Sequence, residues 1–142
     1  MTHLASRRND GRRLEDIRVL VVDDMPDVRD LLVAILTHDG ARVTAVGSAE
    51  EALAALQEAP PDVLLSDLTM PCRDGYWLIE QVRALPPERG GVTPAAALTA
   101  NTGPEHRASV LRAGFQIYLE KPNAFDELVE VVAALALKDR AA

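Results

Sequence analysis

Val19-Leu20-Val21-Val22-Asp23-Asp24 is a run of four apolar residues that ends in two acids. Short runs rich in β-branched residues predict strands that are buried on both faces, as in parallel sheets. Three later runs follow the same plan and also end in polar side chains. They are Val63-Leu64-Leu65-Ser66 before Asp67, Ala95-Ala96-Ala97-Leu98 before Thr99, and Ile117-Tyr118-Leu119 before Glu120-Lys121. Because parallel strands share one carboxyl edge, we expect these acids, the hydroxyl and the ammonium to lie together.

The stretches between the runs carry apolar residues at helical spacing, so the chain predicts five strand–helix pairs on a parallel sheet. Ser48 and Glu51 form a capping box at the start of the second helix. The predicted strands are residues 17–23, 42–46, 62–66, a run after Pro94, and 116–119. The predicted helices run from Pro26 to Gly40, from Ser48 to Pro60, up to about Leu85, over 104–113, and from a cap at Asn123.

Composition limits the class of protein. The chain has 142 residues, 48% of them hydrophobic and 4% aromatic, which suits one domain with an aliphatic core. Cys72 is the single cysteine, so an internal disulfide is excluded. The sequence contains no apolar stretch of the ~20 residues that span a bilayer and no secretory signal. We therefore expect a cytoplasmic protein that does not enter the membrane.

Charge is distributed unevenly along the chain. Residues 1–13 carry a net charge of +3 and the other 129 residues carry −10, which gives the total of −7. Because residues 14–142 are so acidic, we expect no direct binding to nucleic acid. The arginine-rich start leaves an arm that binds nucleic acid as an alternative. We expect residues 1–16 to be a flexible leader or linker, residues 17–138 the domain, and residues 139–142 a C-terminal tail.

The acids suggest a metal-assisted site. Asp23 and Asp24 alone could be a solvated turn, but beside Asp67 they would repel one another unless a cation were bound. Mg²⁺ suits such a site because it takes oxygen ligands and keeps positions for water and phosphate. Asp67 is the candidate nucleophile, since a carboxylate can attack phosphorus and form an acyl phosphate.

Two further side chains fit phosphoryl chemistry, and each has a plainer interpretation. Thr99 could donate its hydroxyl to a phosphoryl oxygen, or it could be an ordinary strand-end threonine. Lys121 is one of only two lysines, against thirteen arginines, and could place a compact charge on the phosphoryl group or be a random surface lysine. The histidines His3, His38 and His106 show no metal-ligand spacing.

Together these motifs resemble the receiver domain of two-component response regulators, especially receivers attached to hybrid histidine kinases. The resemblance covers about residues 17–137. It is carried by Val-Leu-Val-Val-Asp23-Asp24, the loop from Asp67 to Gly75, Leu98-Thr99-Ala100 and Tyr118-Leu-Glu-Lys121-Pro122. It implies an α/β, flavodoxin-like fold: a doubly wound sheet of five parallel strands in the order 2-1-3-4-5, with helices on both faces.

The resemblance also implies roles for single residues. Asp67 would accept a phosphoryl group, Mg²⁺ would be bound by Asp24, Asp67 and the backbone carbonyl of Thr69, and Asp23 would assist through water. Thr99 would move toward the phosphoryl group while Tyr118 turns inward, which changes the face made by helix 4, strand 5 and helix 5. Packing alone is the alternative role for Tyr118. The implied partners are a histidine kinase or a histidine phosphotransfer protein, and the same face could form a dimer.

Two other functions compete with this signalling switch, which would catalyse only its own phosphorylation and dephosphorylation. One is an aspartate-nucleophile phosphatase of the haloacid dehalogenase type. That class has its nucleophile first and its acidic pair last, with a second Asp two residues after the nucleophile, where this chain has Thr69. The other is an interaction module that works without phosphorylation. The intact set of acids, Thr99 and Lys121 argues against it.

Overall fold

Five parallel strands form one sheet in the order β2-β1-β3-β4-β5. The computed structural model describes residues 13–100, 103–121 and 127–141. The strands are β1 (Arg18–Val22), β2 (Arg42–Val46), β3 (Val63–Asp67), β4 (Ala95–Thr99) and β5 (Ile117–Glu120). The chain order and the sheet order differ at β1, where the sheet is built outward in both directions. The predicted fold class and strand order are confirmed.

Helices follow each strand and cover both faces of the sheet. They are α1 (Pro26–His38), α2 (Ala49–Glu58), α3 (Gly75–Arg83), α4 (Pro104–Ala113) and α5 (Leu128–Ala141), with a 3₁₀ turn at Pro87–Arg89. Ser48 caps α2, because its hydroxyl accepts the Glu51 N–H at 3.2 Å, and the same hydroxyl donates to the Glu51 carboxylate at 3.0 Å. Gly114 ends α4 with φ +128°, a conformation that glycine adopts without strain.

Side chains alternate between two separate cores, one on each face of the sheet. Leu65 and Leu98 belong to the core under α1 and α5. Their neighbours Leu64 and Ala97 belong to the core under α2, α3 and α4. β1, β3 and β4 are almost wholly buried, which explains why these strands are continuous apolar runs.

The described structure continues beyond the predicted domain bounds at both ends. Leu14 is fully buried, and its N–H donates to the Asp39 carbonyl at 2.7 Å. α5 continues to Ala141, through residues assigned to a tail. Residues 1–12 of the predicted leader and the predicted cap at Asn123 lie outside the described residues.

Candidate functional site

Three carboxylates meet at the carboxyl edge of β1 and β3. Val22 is paired with Ser66, so the residues that follow, Asp23 and Asp67, are neighbours at the edge. One carboxylate oxygen from each of Asp23, Asp24 and Asp67 lies within 4.8 Å of the others. Asp23 and Asp67 are buried, whereas Asp24 is partly exposed. The structure therefore brings together the three acids singled out in the sequence.

Lys121 follows the edge strand β5, and its side chain reaches the acids at the ends of β1 and β3. Its ammonium lies 3.0 Å from Asp23 Oδ2 and 3.3 Å from Asp67 Oδ1. Its backbone N–H donates to the Thr99 carbonyl at 2.9 Å, which fixes the start of the segment after β5. The side chain is mostly buried, so the ion pairs are only weakly screened by solvent.

Two backbone N–H groups and the Arg29 side chain hold the two buried acids in place. Asp23 Oδ1 accepts the Met25 N–H at 2.9 Å, and the Asp23 carbonyl accepts Arg29 Nη1 at 2.8 Å. Asp67 Oδ1 accepts the Thr69 N–H at 3.3 Å. The two N–H bonds orient the carboxylates before any ligand arrives, as a site that binds a charged group requires.

The ionised form of Asp67 is disfavoured where it stands. Burial is the largest cause that raises the pKa of Asp67 above its ordinary value, and the nearby Asp23 carboxylate raises it further. The Lys121 ammonium and the Thr69 N–H lower the pKa, but not enough to cancel burial. A bound cation would therefore relieve an electrostatic cost that one ammonium leaves in place.

The donor set fits a hard divalent cation. Carboxylate oxygens are ligands that Mg²⁺ prefers, and the partly exposed Asp24 leaves room for water on the open side. Within residues 13–100, 103–121 and 127–141, no second cluster of three His, Cys, Asp or Glu side chains could hold a metal. Thr69 is exposed beside Asp67, at the position that the resemblance assigns to a carbonyl ligand.

The loop after Asp67 is built around a close backbone contact. Asp74 caps α3 by accepting the Trp77 N–H at 2.9 Å. Gly75 donates to the Leu68 carbonyl at 3.1 Å, and a Cβ at Gly75 would lie 2.6 Å from the Asp67 carbonyl oxygen. Glycine is therefore required here for the loop to return beside Asp67.

Trp77 is partly buried and packs against the core under α2, α3 and α4. The Arg73 guanidinium lies 4.6 Å from the centre of its ring, within the range of a cation–π contact. Arg73 also pairs with Glu50 at 3.4 Å. Cys72, in the same loop, is exposed.

Thr99 lies at the end of β4 and is buried. Its Oγ1 is 3.2 Å from Nε2 of His106 on α4, while Nδ1 of the same ring is 3.5 Å from the Tyr76 hydroxyl. Tyr118 on β5 meets the His106 ring edge-on, with ring centres 5.8 Å apart. The Arg107 guanidinium lies 5.5 Å from the centre of the Tyr118 ring.

Sequence reasoning missed His106. It was considered only as a metal ligand, and its isolation from other histidines and from Cys72 gave no reason to select it. The usable signal was its position in the first turn of the helix that follows Thr99, from which a side chain can reach the end of β4.

A family model described as the response regulator receiver domain matches residues 19–133, most of the chain and all of the site described above. The chain belongs to the response regulator receiver family. The match confirms the resemblance found in the motifs. Receiver domains of this family act as signalling switches.

Relatives of this receiver are found both alone and within longer proteins. An uncharacterized 14.6 kDa protein of Leptolyngbya boryana is 46% identical over 124 residues, which cover 87% of this chain and 93% of that protein. The sensor histidine kinase GacS of Pseudomonas protegens is 37% identical over 87% of this chain, but the match spans only 14% of the kinase. The narrower resemblance to receivers of hybrid histidine kinases is confirmed by such matches.

A solved structure provides a close parallel for the site. The receiver domain of sensor histidine kinase PA1611 from Pseudomonas aeruginosa PAO1 is 32% identical, with a TM-score of 0.77, over 85% of this chain and 98% of that one. That receiver has a magnesium ion coordinated in its active-site cleft. In the described part of the present receiver, no helix has the length and apolar character needed to cross a membrane.

Proposed function

We propose that this receiver accepts a phosphoryl group on Asp67 from a phosphohistidine of a partner protein. An Asp67 carboxylate oxygen would attack phosphorus, the P–N bond of the phosphohistidine would break, and the leaving imidazole nitrogen would take up a proton. The observation that carries the proposal is the Lys121 ammonium, held 3.3 Å from Asp67 Oδ1 and 3.0 Å from Asp23 Oδ2. A cation in that place can stabilise the negative charge on the carboxylate and, during transfer, the negative charge on the phosphoryl oxygens.

Mg²⁺ belongs to the same proposal, with Asp24, Asp67 and the carbonyl of Thr69 as its protein ligands and Asp23 assisting through water. When bound, it would neutralise charge on the phosphoryl group as the group passes between donor and acceptor. The chain's own contribution is to hold the three carboxylates within 4.8 Å and to fix Asp23 through the Met25 N–H. Asp67 would react as a carboxylate, the form that the ammonium favours.

Thr99 and Tyr118 form the proposed switch. The Thr99 hydroxyl would move to donate to a phosphoryl oxygen on Asp67, and Tyr118 would turn inward as the space around Thr99 changes. The consequence would be an altered α4–β5–α5 face, the surface through which the signal leaves and a candidate dimer surface. Histidine kinases or histidine phosphotransfer proteins are the proposed partners, in the cytoplasm and without direct contact to nucleic acid or membrane.

Acetyl phosphate with Mg²⁺ tests the acceptor. Intact-mass measurement of the wild type should show addition of one phosphoryl group, and Asp67→Asn should show none. Asp62→Asn is the matched control, because Asp62 precedes the same strand at its opposite end and accepts the Arg18 N–H at 2.8 Å. An unmodified wild type, or modification that persists in Asp67→Asn, would contradict the proposed function. Omitting Mg²⁺ should greatly slow the modification.

A further inference from the structure

His106 connects three elements at the end of β4. Its Nε2 is 3.2 Å from Thr99 Oγ1 on β4, and its Nδ1 is 3.5 Å from the hydroxyl of Tyr76 on α3. Its ring packs edge-on against Tyr118 on β5 and against the Tyr76 ring. One partly buried side chain on α4 therefore contacts both proposed switch residues.

The hydrogen bond between Thr99 and His106 lies on the opposite face of the sheet from the Asp67 side chain. Residues alternate between the two faces of a strand, and Ala97 faces the core under α2, α3 and α4. The side chain of Thr99, two residues after Ala97, therefore leaves the strand on that same face. Leu65 faces the opposite core, so the side chain of Asp67, two residues after Leu65, leaves on the opposite face. The bond at 3.2 Å holds the Thr99 hydroxyl on the side of α3 and α4.

We propose that His106 is a latch that holds Thr99 in its resting position and opposes the movement of its hydroxyl toward Asp67. The inference rests on the proposed function, because it concerns the movement of Thr99 that phosphorylation would drive. His106 is a positioning residue: it acts through Thr99 and takes no part in the transfer. The hydroxyl reaches a phosphoryl oxygen only after Oγ1 leaves Nε2.

The latch does not depend on which tautomer of His106 is present. A neutral imidazole has one donor and one acceptor nitrogen, so Nε2 can accept from Thr99 or donate to it. In either case Oγ1 must stay within hydrogen-bonding distance of Nε2, and that position is what opposes the movement. The longer contact to Tyr76 is secondary, because at 3.5 Å it is close to the limit for a hydrogen bond.

Two amide substitutions separate the contacts of the ring. The amide of Gln reaches the place of Nε2, and the amide of Asn reaches only the place of Nδ1. His106→Gln should therefore keep the latch, and His106→Asn should remove it while keeping a group near Tyr76. His38→Asn on α1 is the control, because His38 is an exposed histidine outside the site.

Beryllofluoride with Mg²⁺ is the probe, and its apparent affinity is the measurement. One net hydrogen bond corresponds to about 2- to 12-fold, so His106→Asn should bind beryllofluoride tighter than the wild type by a factor in this range. His106→Gln and His38→Asn should stay within about twofold of the wild type, less than one such bond. Binding by His106→Asn that is equal to or weaker than wild type would overturn the latch, as would equal gains in the Gln and Asn variants.

Nitrogen NMR of the wild-type histidine rings provides a second test that needs no variant to fold. Adding beryllofluoride should shift the Nε2 resonance of His106 as its bond to Thr99 is lost, and should leave His38 unchanged. An unmoved His106 resonance in a protein that has bound beryllofluoride overturns the latch and leaves the proposed function standing. A wild type that does not bind beryllofluoride overturns the proposed function and the latch with it.

Discussion

Replacing Lys121 with Met tests how strongly the acidic cluster depends on one ammonium. Met keeps most of the length of the lysine side chain and removes its charge. The ammonium lies 3.0 Å from Asp23 and 3.3 Å from Asp67, and each pair is worth about 5 kcal/mol of attraction at an effective dielectric constant of about 20. Burying the lysine offsets much of that attraction. Asp23 is 0% exposed, so its charge cannot reach water once the partner is gone.

We expect Lys121→Met to lower the free energy of unfolding by about 3 kcal/mol at pH 7 without Mg²⁺, the lower end of the range for breaking a buried ion pair. The lower end applies because Lys121 itself is 19% exposed. For a domain of this size the melting temperature should fall by about 10 °C. Urea denaturation and thermal melts would measure both quantities.

Adding Mg²⁺ should reduce the stability difference between Lys121→Met and the wild type, whereas raising the pH should increase it. Mg²⁺ should stabilise the variant more than the wild type, because the ion no longer shares the carboxylates with an ammonium. The raised pKa of Asp67 means that the folded state binds more protons than the unfolded state between the ordinary and the raised value. Stability therefore falls as pH rises through that window, and the fall should be larger in the variant, which lacks the charge that lowers this pKa.

Arg42→Met is the matched control. Arg42 pairs with Asp16 at 3.4 Å, but both side chains are more than 70% exposed, so the change should stay within about 0.5 kcal/mol. The reasoning would be refuted if Lys121→Met cost less than about 1 kcal/mol, below the cost of one buried unpaired group. It would also be refuted if Mg²⁺ stabilised the variant and the wild type equally.

Two further changes test the strand end and its loop. Asp67→Asn should raise the melting temperature in Mg²⁺-free buffer at pH 7, because the raised pKa of Asp67 shows that its charge is disfavoured there; the gain should shrink as pH is lowered toward the ordinary pKa, and a variant less stable than the wild type at pH 7 would contradict this. Gly75→Ala should cost about 1–3 kcal/mol in urea denaturation, because its Cβ would lie 2.6 Å from the Asp67 carbonyl. The same change should slow the acetyl phosphate reaction by shifting Asp67, and an unaltered rate would show that the loop adapts elsewhere.

The sheet could be predicted from sequence because its strands are buried on both faces. Burial of β1, β3 and β4 forces uninterrupted apolar runs, and the polar residue that ends each run marks the carboxyl edge. Because β1 and β3 are neighbours in the sheet, their parallel register brings Asp23 beside Asp67. This constraint predicts the strands and their common carboxyl edge, whereas the strand order that places the acids and Lys121 close together was implied by the resemblance to receivers.

Boundaries and partners on the helices were harder to predict, because they depend on packing between elements far apart in sequence. Leu14 packs in the core under α1 and α5, and its N–H donates to the Asp39 carbonyl at the end of α1, but nothing in the local pattern marks it as part of the core. Trp77 on α3 likewise packs against a core shared with α2 and α4, and Arg73, which contacts its ring, pairs with Glu50 of α2. Helical periodicity predicts a face but not the neighbour that covers it.

His106 shows why a switch cannot be identified from its end points alone. Thr99 and Tyr118 were selected as a pair, on neighbouring strands, from the resemblance. In the structure one imidazole on α4 contacts the hydroxyl of the first at 3.2 Å and the ring of the second at a centroid distance of 5.8 Å. When the Thr99 hydroxyl leaves Nε2, the His106 ring loses a partner on one side while Tyr118 and Tyr76 still pack on the others. The proposed signal therefore passes from β4 to α4 and β5 through a third side chain, whose chemistry sets how readily the two ends move together.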